Sequence, residues 1–267
     1  MFSKTTGKLN LYYEVTGNPD SQKTLVFLNG LSQSTIAWAF VVPYLKKEYK
    51  IILLDFIFQG QSDKNSECRD FDQHATDVKN LLDELKLKKV TIIGLSYGSL
   101  VAQHFALLFP ERLEKVILMS TFAHKTPYFE AIEIAWGRAL ETGGYPLLFD
   151  IMLPSVLGED YFQNPIIPID LMRQARADVN IDASALYKLM LATKERPDYR
   201  EKLKKITTPT LILHGQKDLL VSVHMATEVH KAIPNSQLEI FPNVGHTLNL
   251  EAVPQSVAAI KKFLEGK

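Results

Sequence analysis

The chain has 267 residues, and its 30 lysines and arginines balance 30 aspartates and glutamates, so the formal net charge is zero. With no concentrated basic stretch, nothing in it would track a phosphate backbone, which argues against a nucleic-acid partner. At 46% hydrophobic and 22% charged residues, it has the makeup of a chain with an ordinary buried core, neither disordered nor a disulfide scaffold.

Met1 to Asn10 contains no apolar signal core, so secretion is not expected. Leu9 to Val15, Thr24 to Leu28 and Tyr49 to Asp55 read as strands, the second and third as compact apolar runs. Cys68, the single cysteine, sits in a polar stretch and has no internal partner, which fits a reducing, cytoplasmic setting. Phe71, Ala75, Val78, Leu81, Leu82 and Leu85 recur at three- and four-residue steps and share one face of a predicted helix. Val90 to Leu95 reads as a buried strand, Ser99 to Phe109 as a helix stopped by Pro110, and Val116 to Met119 as another strand. Strand, helix and strand at this spacing predict a parallel crossover. Apolar runs such as Phe105 to Phe109 are far too short to span a membrane.

After Ser120 the rhythm changes. Residues 122–200 carry no strand pattern and read as helices broken by Pro127, Pro146, Pro154, Pro165, Pro168 and Pro197, a helical cap inserted into a core domain of residues 1–121 and 201–267. Alternation resumes with Thr210 to Leu213 as a strand, Val221 to Ala232 as a helix, Gln237 to Phe241 as a strand and Pro254 to Leu264 as the last helix. The order predicts an α/β fold with a mostly parallel sheet covered on both faces, and in such sheets ligands bind beyond the carboxyl ends of the strands.

Gly94-Leu95-Ser96-Tyr97-Gly98 stands directly after a strand and opens a helix. A serine hydroxyl is a poor nucleophile unless held in the open beside a base; a tight strand-to-helix turn does this, and glycines on both flanks let neighbouring backbone pass close. Among seven histidines, His246 is the best base: it lies in the turn-rich Asn243-Val244-Gly245-His246 after a strand, whereas His74, His104, His224 and His230 fall within helices. His214, at the end of a strand, remains the weaker alternative. Asp218 follows the strand at Thr210 and can fix the tautomer of the base. Asp55 also ends a strand but precedes Ser96, and reads as an anchor for its own loop. An oxyanion needs two fixed N–H donors: the backbone of Tyr97 supplies one and that of Leu31, after Asn29-Gly30, the other.

From Phe27-Leu28-Asn29-Gly30 through Gly60-Gln61-Ser62-Asp63 and the Ser96 turn to Gly245-His246, nearly the whole chain resembles the α/β-hydrolase superfamily. The order Ser96, Asp218, His246 is that of the family's triad. The resemblance implies a helical cap over the pocket. Members usually carry His-Gly where this chain has Asn29-Gly30, and a Pro-Gly-His-Gly-type turn where it has Ile57-Phe58-Gln59-Gly60. The C-terminal half is similar to esterase-like and enol-lactonase-like members. The Asn29-Gly30 and Phe58-Gln59-Gly60-Gln61-Ser62 stretches resemble the acyltransferase that joins two hydroxyacyl chains in rhamnolipid formation. Dehalogenase-like members place Asp where this chain has Ser96.

The expected activity is hydrolysis of a small or medium-chain carboxylic ester or lactone through an acyl-enzyme. Transfer of a hydroxyacyl group by the same triad, and ligand binding with little turnover, are the alternatives. With no metal-ligand spacing, dinucleotide fingerprint or phosphate loop, no cofactor and no metal are expected. The apolar residues Phe129, Ile132, Ile134, Trp136, Leu140, Leu147, Leu148, Phe149, Met152 and Leu153 supply core and pocket lining, and Arg138, Arg173 and Arg176 are solvated charges or carboxylate binders. The oligomeric state stays open, a homodimer included.

Overall fold

The computed structural model describes residues 1–178 and 181–266. The strands are β1 (Phe2–Lys4), β2 (Asn10–Gly17), β3 (Thr24–Leu28), β4 (Lys50–Leu54), β5 (Val90–Leu95), β6 (Leu113–Met119), β7 (Thr210–Gly215) and β8 (Ser236–Phe241). The helices are α1 (Val42–Leu45), α2 (Phe71–Glu84), α3 (Tyr97–Leu108), α4 (Pro127–Val156), α5 (Glu159–Gln163), α6 (Ile169–Asp178), α7 (Ala183–Glu195), α8 (Arg200–Leu203), α9 (Val223–Ala232), α10 (Leu248–Glu251) and α11 (Val253–Glu265). Among the described residues no helix is long and apolar enough to cross a membrane.

One sheet runs in the order β1-β2-β4-β3-β5-β6-β7-β8, antiparallel over β1, β2 and β4 and parallel from β4 onward. Its central strands bury both faces, which is why Thr24–Leu28 and Val90–Leu95 read as continuous apolar runs. The two-residue period of a strand divides them between two cores. Val26, Leu28, Ile52, Leu54 and Ile92 pack on one face with α2 and α3, while Leu25, Phe27, Ile51, Leu53 and Ile93 pack on the other with α11.

The sequence reading placed the ends of β3 and β5 correctly and missed β1, whose three residues are too few for a periodicity. It also treated every proline of the 122–200 stretch as a breaker. Pro127 instead starts α4, and α4 continues past Pro146 and Pro154; its one break is at Gly144 (φ 64°, ψ −162°). Pro146 follows that break in the restarted first turn, where no N–H is needed, and Pro154 falls in the last turn. Helices α4 to α8 occupy the chain between β6 and β7.

Candidate functional site

Four loops that leave the carboxyl ends of β3, β5, β7 and β8 meet at one sheet edge, carrying Leu31, Ser96, Asp218 and His246. Ser96 adopts φ 51°, ψ −113°, backbone strain held by what surrounds it. A side chain at Gly94 would overlap the Gly98 carbonyl, and one at Gly98 would overlap the Leu28 carbonyl, so the turn closes only with glycine at both places. The Ser96 N–H donates to the Met119 carbonyl at 2.8 Å, tying the turn to β6.

His246 Nδ1 lies 2.7 Å from Asp218 Oδ2, with the imidazole 6% exposed and the carboxylate fully buried. Asp218 Oδ1 accepts the N–H groups of Leu220 at 3.0 Å and Val221 at 2.8 Å, so a buried charge is matched by donors on both oxygens. His246 Nε2 is buried and has no hydrogen-bond partner among the described residues, and His246 lines the same cavity as Ser96. A neutral imidazole that donates from Nδ1 to Asp218 would leave Nε2 as an acceptor.

Residues the sequence reading passed over hold this loop. Ser120, at φ 51°, donates its hydroxyl to the His246 carbonyl at 2.6 Å. Glu251 accepts three backbone N–H groups, from Gly245 at 2.9 Å, Thr247 at 2.9 Å and Gly158 at 2.8 Å. The first two flank His246 and the third lies just past α4, so one carboxylate joins the histidine loop to the helical segment. Burial raises its pKa despite these three donors.

The loop after β3 is fixed by side-chain hydrogen bonds from Gln59, Asn29 and Asp55. Gln59 Nε2 donates to the Gly30 and Leu31 carbonyls at 2.7 and 3.0 Å. Asn29 Nδ2 donates to the Leu54 carbonyl at 2.8 Å, and its Oδ1 accepts from Trp38 Nε1 at 2.9 Å. Asp55 Oδ1 accepts the Thr35 N–H at 2.8 Å and Oδ2 the Gln61 N–H at 2.9 Å, the loop-anchoring part read for it in the sequence.

His74, His104 and His214 are not among the residues that line the cavity with Ser96. His214 Nε2 is 2.9 Å from the Val221 carbonyl and 3.6 Å from Asp218 Oδ2, and burial lowers its pKa, which keeps it neutral beside the pair. His74 is fully buried and held down at about 3 by the same cause, with the Arg69 charge adding to it. His104 is held at about 4 by burial and by Arg196, within a cluster that includes Asp72, Gln103 and Tyr199.

Ser96 and His246 open on a cavity of about 120 Å³ whose walls include Leu31, Tyr97, Phe129, Trp136, Phe149 and Met152. Of the apolar residues singled out in 122–200, Leu140 and Leu148 are buried elsewhere in the core, while Ile134 and Leu147 are exposed. Arg138 is exposed in an outer groove, and Arg173 pairs with Asp150 and Asp170 at 2.7 and 2.9 Å on the surface. The side chain of Arg176 lies outside the described residues. Among the described residues, no group of three or more His, Cys, Asp or Glu could hold a metal ion.

The model of the alpha/beta hydrolase fold family matches residues 23–142 and 134–253. The chain is 28% identical to a 2-hydroxy-6-oxononadienedioate/2-hydroxy-6-oxononatrienedioate hydrolase of Pseudomonas putida, over 97% of this chain and 93% of that one. It is also 28% identical to a putative 2-succinyl-6-hydroxy-2,4-cyclohexadiene-1-carboxylate synthase of Bacillus subtilis, covering 92% of each. Among solved structures, a thermophilic esterase from Thermogutta terrifontis superposes with a TM-score of 0.89 at 25% identity, covering 100% of this chain and 98% of that one.

Proposed function

The chain belongs to the alpha/beta hydrolase fold family, and from that premise we propose that it is a serine hydrolase acting on a small carboxylic ester or lactone. The observation that carries this reading is the Asp218–His246 contact of 2.7 Å, with His246 Nε2 unpartnered on the cavity that Ser96 lines. In the proposed cycle, His246 Nε2 takes the Ser96 proton as Oγ attacks the carbonyl, and Asp218 stabilises the imidazolium. The N–H groups of Leu31 and Tyr97 hold the oxyanion. The alcohol leaves with the proton from His246, and water, deprotonated by His246, then releases the acid and frees Ser96.

Cavity size narrows the substrate. An engineered cavity of about 150 Å³ admits benzene, so a space of about 120 Å³ suits an acyl group of roughly four to six carbons. Its walls are largely aromatic and aliphatic, which favours an apolar acyl group over a sugar. A dioate of the kind that names the Pseudomonas putida relative would bring a second carboxylate into a cavity without lysine or arginine among its described walls. Acyl transfer by the same residues requires an alcohol to replace water in the second step, and no observation favours it.

Labelling with a fluorophosphonate probe, peptide mapping and turnover of a p-nitrophenyl ester series test the reading. Modification at Ser96, an optimum near p-nitrophenyl butyrate or hexanoate, and a loss of about 10⁴-fold in Ser96→Ala are expected. Retained turnover in Ser96→Ala would overturn the assignment, and single, slow turnover in the wild type would favour a ligand-binding protein.

A further inference from the structure

The acyl-enzyme chemistry leaves the acidic residue of the cavity wall without a task. Glu133 stands on the face of α4 that also presents Phe129 and Trp136, at the four- and three-residue steps that align side chains on a helix. Its side chain is 15% exposed, and its carboxylate forms a long ion pair, 3.7 Å, with Lys125. The Lys125 ammonium also donates to the Lys194 carbonyl. Glu133 and Met190 line both this cavity and the outer groove beyond it, so the residue belongs to the wall between the two. A single long ion pair compensates only part of the cost of burying a carboxylate, and a substrate that supplies a further donor offsets more of it.

We infer that Glu133 is a specificity-determining residue, which accepts a hydrogen bond from a hydroxyl or ammonium group on the substrate and excludes substrates bearing a second carboxylate there. The catalytic part of this statement rests on the serine-hydrolase reading, but the recognition is a binding property that stands apart from turnover. Burial raises Glu133 to about 7, helped by Glu130 and opposed by Lys125 and Lys194, so above neutral pH it presents a negative charge.

Trp136 lines the same cavity three residues from Glu133, and the only other tryptophan, Trp38, is buried in the opposite core. Tryptophan fluorescence therefore reports cavity occupancy. Hexylamine, hexan-1-ol and hexanoate, none of which can be turned over by ester hydrolysis, are titrated at pH 8 into the wild type, Glu133→Gln and Glu133→Asp. Wild-type protein should bind hexylamine at least about tenfold more tightly than hexanoate, with hexan-1-ol between them. In Glu133→Gln the ratio should fall to within about twofold, and Glu133→Asp should keep the preference for the amine. Equal binding of hexanoate and hexylamine by the wild type overturns the proposal whether or not the variants fold, as does an undiminished ratio in Glu133→Gln. A protein that keeps the amine preference but fails to label at Ser96 would support this recognition while overturning the proposed reaction.

Discussion

Glu251 shows how much of the proposed site rests on residues outside its cavity. Its two oxygens satisfy three N–H groups, two of which bracket His246. Glu251→Ala strands buried donors, each worth about 1–3 kcal/mol, and frees the histidine loop. The expected result is a lower melting temperature together with a fall in kcat of about tenfold or more and a smaller change in KM, read from steady-state kinetics on p-nitrophenyl butyrate. Gly98 makes the complementary case: Gly98→Ala drives a methyl group into the Leu28 carbonyl and should cost several kcal/mol, seen as loss of soluble protein or a sharply lowered melting temperature. The serine turn could be read from the sequence because glycine, serine and the flanking strand and helix are contiguous there. Glu251, Ser120 and Glu133 could not, because their partners are fixed by packing: Ser120 meets the carbonyl of a residue 126 positions away.

At the scale of elements, α4 decides what the cavity can hold. Its break at Gly144 sits in a region of backbone space open essentially to glycine, and the restarted helix brings Tyr145, Phe149, Met152 and Leu153 to the cavity wall. Gly144→Ala should cost about 1–3 kcal/mol and shift the preferred ester chain length, measured across the p-nitrophenyl series. The helical character of this stretch was legible from its lack of any strand pattern. The position of its break was not, since Pro127 and Pro146 fall in first turns, where proline is tolerated, and the break lies at a glycine instead. Glu133, on the same helix, also couples α4 to pH. Its raised pKa means the folded protein holds that proton more tightly than the unfolded chain. The associated stability is therefore fully present below about 4.5 and lost as pH rises through about 7. Glu133→Gln should then melt above the wild type at pH 8, by the equivalent of about 1 kcal/mol once residual solvent screening is allowed for, and show no gain at pH 4.5.

For the molecule as a whole, the sheet gathers side chains from distant parts of the chain at one edge, and this was the most legible feature in the sequence. Buried parallel strands are short apolar runs, helices between them keep a three-to-four period, and together these fix where functional loops emerge. The edge strand β1 was invisible because Phe2–Lys4 gains its definition from pairing with β2, Phe2 opposite Tyr12. The pairing of β6 with β7, Val116 opposite Thr210 through Met119 opposite Leu213, has a different consequence. The whole of α4 to α8 lies between these two neighbours, so closing the sheet means bridging a long intervening segment, an entropic toll that contiguous pairings such as β5 with β6 largely escape. Ser96 belongs to the part that can assemble early, whereas Asp218 and His246 arrive only with β7 and β8. During refolding from denaturant, reactivity towards a fluorophosphonate should lag behind the recovery of far-ultraviolet circular dichroism. A chain leaving the ribosome would by the same logic carry its serine for much of its synthesis without a base beside it, chemically silent until the last strands are in place.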